Sequence, residues 1–97
     1  MPTDLLEFEW DSKKAAINLR KHRISFREAA MVFSDDLAFT YDDASHSHGE
    51  ERYITLGMSD KGRVLVVAHA ARGDRIRIIS ARKATRRERK SYEEKSQ

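Results

Sequence analysis

The sequence has no cysteine, so neither disulfides nor thiolate metal sites hold it together, which suits a reducing compartment, and a cytoplasmic location is expected. No apolar run approaches the ~20 residues that span a bilayer, so no membrane segment is expected. The first ten residues, MPTDLLEFEW, are acidic and lack the basic stretch and apolar run of a secretory leader. The 4 glycines are isolated and punctuate turns, so no glycine-rich phosphate loop is present. No Ser/His/Asp triad can be assigned. What remains is 97 residues, 39% apolar and 36% charged, which fits one thin-cored, wet-surfaced globular domain and not a disordered tail.

Charge is distributed unevenly. Residues 1–60 carry 7 Lys/Arg against 12 Asp/Glu, a balance of −5, whereas residues 61–97 carry 12 against 4, a balance of +8. Such polarisation is an argument about partners. A solvated charged face would show the same balance. The excess is mostly arginine, however, whose planar fork matches phosphate, and that favours nucleic acid.

Leu5 to Trp10 alternates and predicts a first strand. Asp11 caps a helix running to about His22, with Trp10 placed to pack on Ala15. Ser25 and Glu28 have capping-box spacing and open a second helix with Phe26, Ala29, Ala30 and Phe33 as its apolar stripe. Leu37 to Tyr41 is a candidate strand, followed by the polar loop DDASHSHGE. Arg52–Met58 and Arg63–Ala70 form a hairpin across Ser59–Gly62, and Arg75–Ala81 follows a second turn. Thr85 and Glu88 repeat the capping-box spacing and open a basic helix through Tyr92. The order β-α-α-β-β-β-β-α predicts an α+β fold: an antiparallel β-sheet, two N-terminal helices packed on one face and a short C-terminal helix.

Two constellations could carry chemistry. The first is Arg72, Arg75, Arg77 and Arg82 with Lys83, Arg86, Arg87, Arg89 and Lys90. Along Arg75-Ile76-Arg77-Ile78 a period of two sets the arginines on one face and the isoleucines on the other. Arginines on a sheet face can grip phosphate oxygens and neutralise charge developing at phosphorus. Ile79 breaks the alternation, so parity leaves the face of Arg82 open. The second is His46-Ser47-His48-Gly49-Glu50-Glu51-Arg52, which gathers imidazole, carboxylate and guanidinium within one loop, the groups that proton transfer near neutral pH uses. His46 and His48 with Asp42 or Asp43 would make a metal set only with a ligand geometry that spacing does not fix. His69 lies among alanines and valines, as either a satisfied semi-buried histidine or a second proton-transfer candidate. His22 suits a helix C-terminus.

The stretches FEWDSKKAAINLRKHRISFREAAMVF and HSHGEERYITLGMSDKGRVLVVAHAARGDRIRIISARKATRRERKSYEE resemble the BrnT toxin family, from about Leu6 to Glu94. The most specific parts are His46–Arg52 and Arg77–Arg89. BrnT proteins are the toxin halves of type II toxin–antitoxin pairs, related in fold to RelE-like ribonucleases. The resemblance implies one RelE-like domain over residues 1–97, metal-independent endoribonuclease activity that inhibits translation, and no cofactor. It places Glu51, Arg52, Arg77, Arg82 and His46 in the catalytic site, with Arg72, Arg75, Lys83 and Arg86 binding RNA. Its implied partners are an RNA substrate and a cognate BrnA-like antitoxin, with operator DNA met only through the toxin–antitoxin complex, where a homodimer could form. The alternative is a non-catalytic basic module that docks on RNA or DNA. At Arg23 the family more often carries glycine, which bears on the turn between the first two helices.

Overall fold

A computed structural model of the chain describes residues 6–46 and 49–95. Leu5, at the start of the first predicted strand, and Ser47 and His48, in the predicted His46/His48 segment, lie outside the described residues. The elements are β1 (Glu7–Glu9), α1 (Ser12–His22), α2 (Phe26–Ala30), β2 (Phe39–Asp42), β3 (Arg52–Met58), β4 (Val64–Arg72), β5 (Arg75–Lys83) and α3 (Arg86–Lys95). Short 3-10 turns cover Met31–Ser34 and Ala44–His46. The second predicted helix therefore tightens after Ala30, and the basic helix runs about a turn beyond Tyr92.

Local chemistry sets these boundaries. Asp11 accepts the N–H groups of Lys13 (2.8 Å) and Lys14 (2.9 Å) and starts α1. Arg23 ends it in the left-handed region (φ 61°), its N–H returning to Leu19 O at 2.9 Å. This is the conformation glycine adopts without strain, so the arginine there costs about 1 kcal/mol. Ser25 Oγ accepts the Glu28 N–H at 3.0 Å. The Glu28 carboxylate does not return to Ser25. It is buried instead, taking the Ser59 hydroxyl (2.7 Å), Arg63 Nε (2.9 Å) and Arg63 Nη2. Burial pushes its pKa up, but the bonds from Arg63 and Ser59 outweigh this and hold it below the usual range. Half of the expected capping box has thus become a long-range tie between α2 and the β3–β4 hairpin.

The sheet order is β1-β5-β4-β3-β2. Pairings among β2, β3, β4 and β5 are antiparallel, but β1 runs parallel to β5, with Phe8 beside Ile76 and Glu9 beside Arg77. The sheet is mixed, which corrects the antiparallel expectation. The chain reaches β1 first and comes back to it last, so no tight turn fixes their direction.

One face carries Leu65, Val67, Ile78 and Ala81, which pack with Ile24, Phe26, Ala29 and Val32 of the N-terminal helical segment. The opposite face carries Leu56, Val64 and Val66, buried with Tyr92 of α3. Asn18 fastens α1 to the sheet: its Nδ2 donates to Ile24 O and Ala81 O (both 2.9 Å), and its Oδ1 accepts the Ala81 N–H (3.1 Å). The Tyr92 hydroxyl fastens α3 by donating to Asp35 Oδ2 at 2.5 Å. At Gly57 an added Cβ would come within 2.8 Å of Ala38 Cβ, so glycine permits this close approach of the chain leading into β2.

His69 belongs to the helix-covered face. Its ring stacks on Tyr53 (centroids 5.8 Å apart) and meets Phe33 edge-on (4.9 Å). Its Nε2 shares a 2.7 Å hydrogen bond with Thr55 Oγ1, which bonds Thr40 Oγ1 at the same distance. Burial pulls its pKa down to about 4, so the imidazole is neutral at pH 7.

Two stability predictions follow from this packing. Asn18→Ala strips partners from three backbone groups and should cost about 3 kcal/mol, lowering Tm by roughly 12 °C or more. A drop of only a degree or two in a thermal melt would mean that α1 is held by other contacts. For His69 the folded pKa lies below the unfolded one. Its contribution is therefore whole above pH 6.5 and is lost as the pH falls toward 4, amounting to about 3 kcal/mol over that window. Melts between pH 6.5 and 5 should show roughly half of this loss, about 1.5 kcal/mol, in the wild type and a nearly flat profile in His69→Phe. Parallel profiles would place the acid sensitivity elsewhere.

Candidate nucleic-acid interface

The arginines of interest gather on the sheet face opposite α1 and α2. Across the β4–β5 ladder Ala70 pairs with Arg77 and His69 with Ile78, but Ala68 pairs with Ser80, so Ile79 is one residue extra in β5. This bulge resets the alternation. Beyond it Arg82 pairs with Val66, whose side chain lies on the α3 face, and so Arg82 comes to the same face as Arg77.

Arg52 of β3 and Arg77 of β5 both pair with Ala70 of the strand between them. Their Cα atoms are thus two strand spacings apart, about 10 Å. The small side chain of Ala70 leaves room above it, and one anion occupies that room. Glu50 bonds Arg77 Nη2 through Oε1 (2.5 Å) and Oε2 (2.7 Å), and its Oε1 also takes Arg52 Nε at 3.2 Å. The Arg77 bonds chiefly, then those of Arg52, hold the Glu50 carboxyl below its usual pKa. Arg77 Nε is buried with no acceptor among the described residues.

A second pair lies toward α3. Arg82 Nη1 and Nη2 donate to the two oxygens of Glu88 at 2.7 and 2.9 Å. Glu88 also completes the expected capping box, accepting the Thr85 N–H at 2.8 Å while its own N–H reaches Thr85 Oγ1 at 3.2 Å. The arginine and these caps draw its pKa down to about 2. Farther out, Arg72 and Arg75 are more than half exposed and lie 3.9–4.0 Å from Glu7 and Glu9, in loose ion pairs.

The other predicted residues are placed differently. Glu51 does not join the arginines: its Oε2 accepts the Tyr53 hydroxyl at 2.6 Å, on the His69 side of the sheet. His46 is exposed and bonds Asp43 Oδ1 (3.0 Å) and the Ser45 hydroxyl (3.1 Å) within its own turn. Lys83, Arg86, Arg87, Arg89 and Lys90 form no ion pair among the described residues. No group of three potential metal ligands occurs among the described residues. Sequence reasoning passed over Glu50. Its neighbour Glu51 is chemically identical, and only the turn after Gly49 decides which of the two faces Arg77.

The basic third thus resolves into two sets with different chemistry. Arginines on the sheet face are held by carboxylates and aimed, as charge stabilisation at a fixed point requires. Lys83, Arg86, Arg87, Arg89 and Lys90 are exposed and, among the described residues, in no ion pair, as counterion-releasing contacts with a polyanion require. No helix among the described residues is long and apolar enough to cross a membrane.

The family described as "Ribonuclease toxin, BrnT, of type II toxin-antitoxin system" matches residues 10–88. No curated protein matches in sequence. Among solved structures, the 1.1 Å crystal structure of the Brucella abortus ribonuclease toxin BrnT is similar in fold, with a TM-score of 0.64 and 20% identity, covering 84% of this chain and 99% of that one. With the family matched over most of its length, this chain belongs to the BrnT ribonuclease toxins of type II toxin–antitoxin systems, a family defined by pairing with an antitoxin.

Proposed function

We propose that the chain acts as one RelE-like domain that cleaves RNA without a metal ion, inhibits translation, and is neutralised by a BrnA-like antitoxin. The observation that carries this reading is the convergence of Arg52 and Arg77 on a single anion above Ala70, with Arg82 on the same sheet face. In cleavage of this class the 2′-oxygen bonds to the adjacent phosphorus while the bond from phosphorus to the 5′-oxygen breaks. The nucleophile's proton must leave and the departing 5′-oxygen must gain one. Negative charge grows on the non-bridging oxygens, where two fixed guanidiniums supply the stabilisation a metal ion supplies elsewhere. Arg82 would hold a neighbouring phosphate. Arg86, Arg87, Arg89, Lys83 and Lys90 would anchor the strand beyond it, and an acidic antitoxin segment would cover the same cations. In the free protein Glu50 is the carboxylate that bonds these guanidiniums, while Glu51 bonds the Tyr53 hydroxyl.

Incubating the purified chain with RNA in excess EDTA tests the reading directly. Intact RNA would favour the non-catalytic binding module. The two sets of cations should also separate by mutation. Arg77→Ala should lower the single-turnover rate by ~100-fold or more and weaken RNA binding far less, because the α3 cations remain. Replacing Arg86 and Arg87 by alanine should do the reverse. With about four phosphates neutralised, the wild-type slope of log K against log salt should be about −3, and the double variant's shallower by roughly 1. Equal losses of rate and binding in Arg77→Ala would reduce that residue to an anchor. An unchanged slope in the α3 variant would move the RNA track elsewhere.

A further inference from the structure

The Glu50 carboxylate fits its arginines incompletely. Both its oxygens rest on one terminal nitrogen, Arg77 Nη2, while Arg77 Nε is left buried without an acceptor among the described residues. The side edge of a guanidinium presents Nε–H and a terminal N–H as a parallel pair, and two oxygens of a tetrahedral phosphate can span that pair. Arg52 Nε supplies a further donor from the other wall. Burying a charged group's donor unpaired is costly, so the arrangement is unsatisfied in a way that a larger anion would correct. Among the described residues Glu50 has no other hydrogen-bond partner that would keep it in place.

We infer that the Glu50 carboxylate stands where a backbone phosphodiester of the RNA binds, and that RNA enters by exchange, the phosphate taking the N–H groups of Arg77 and Arg52 as Glu50 withdraws. This rests on the ribonuclease reading above and assigns the position of the substrate phosphate within it. In the free protein Glu50 keeps both guanidiniums aimed and keeps small anions out. An RNA strand already held by the α3 cations brings its phosphates to the seat at high local concentration and can displace the carboxylate, whereas a lone anion meets the competition unaided.

The test uses the full chain and two probes: a single-stranded 2′-O-methyl RNA, which lacks the attacking hydroxyl, and dimethyl phosphate, a minimal phosphodiester. Glu50→Gln and Glu50→Ala remove the competing charge. Both should bind the RNA about 5-fold or more tighter than wild type, and adding Arg77→Ala to either should abolish the gain. In NMR spectra the Arg77 Nε–H resonance should respond to dimethyl phosphate at lower concentration in both variants than in wild type, with thermal melts confirming that they fold. Unchanged or weaker RNA binding, with the resonance responding equally in all proteins, would overturn the exchange and make Glu50 a simple support for Arg77. A response to dimethyl phosphate that sharpens in the variants while no protein binds RNA would uphold the phosphodiester seat and remove the ribonuclease reading. Tighter RNA binding that persists without Arg77 would place the gain outside the seat and overturn the proposal.

Discussion

Much of this structure depends on one extra residue in β5. A strand turns its side chains over every second position, so a regular β5 carrying Arg77 on one face would send Arg82 to the other, beneath α1 and α2. The bulge at Ile79 prevents this. Upstream of it Ile78 enters the helix-covered core, and downstream Ala81 does the same, while Arg77 and Arg82 both come to the opposite face. Asn18 bonds both backbone groups of Ala81 just past the irregularity. A buried amide on α1 thereby holds in register the strand that carries Arg77 and Arg82.

The second constraint is electrostatic. Guanidiniums that crowd one sheet face repel each other unless something neutralises them, and here each has a carboxylate: Glu50 between Arg52 and Arg77, Glu88 on Arg82, Glu7 and Glu9 near Arg72 and Arg75. The acidic N-terminal part of the chain is therefore not a separate region of opposite charge. Part of it is the counter-charge of the basic part, supplied by β1 and by the turn before β3. The surplus that remains for a partner sits on α3 and at Lys83, so the basic stretch of sequence overstates the basic surface.

Much of this was legible in the residues, and the failures have physical causes. Capping residues act over three or four positions, so Asp11, Ser25 and the Thr85/Glu88 box could be read directly. The alternation Arg75-Ile76-Arg77-Ile78 gave the correct face for Arg77, and the break at Ile79 marked the bulge without revealing its outcome. Long-range partners left no such trace. Nothing near Glu28 signals that Arg63, thirty-five residues on, will take its carboxylate. Asn18 looks like an ordinary polar helix residue until Ala81 arrives. The parallel pairing of β1 depends on where the last strand ends up, which local propensity does not encode. The choice between Glu50 and Glu51 turns on a single rotation of backbone, and the sequence left His69 open between a satisfied semi-buried histidine and a proton-transfer group because burial and neutrality are properties of the fold.

The two central ion pairs are chemically alike but not interchangeable. Glu88 is fixed three times over: to Arg82, to the Thr85 N–H, and by its place in the first turn of α3, whose Tyr92 is bound in turn to Asp35. Withdrawing its carboxylate would uncap a helix and loosen the packing over Leu56, Val64 and Val66. Glu50 belongs to no helix and, among the described residues, bonds only the two guanidiniums. Its removal breaks bonds that an incoming phosphate can replace in kind, and it offers the phosphate a donor the carboxylate leaves unused. Exchange is therefore cheap at Arg77 and expensive at Arg82. On the function proposed above, that asymmetry suits Arg77 to receive the reacting phosphate, while Arg82, still paired with Glu88, would meet a neighbouring one through its remaining N–H groups.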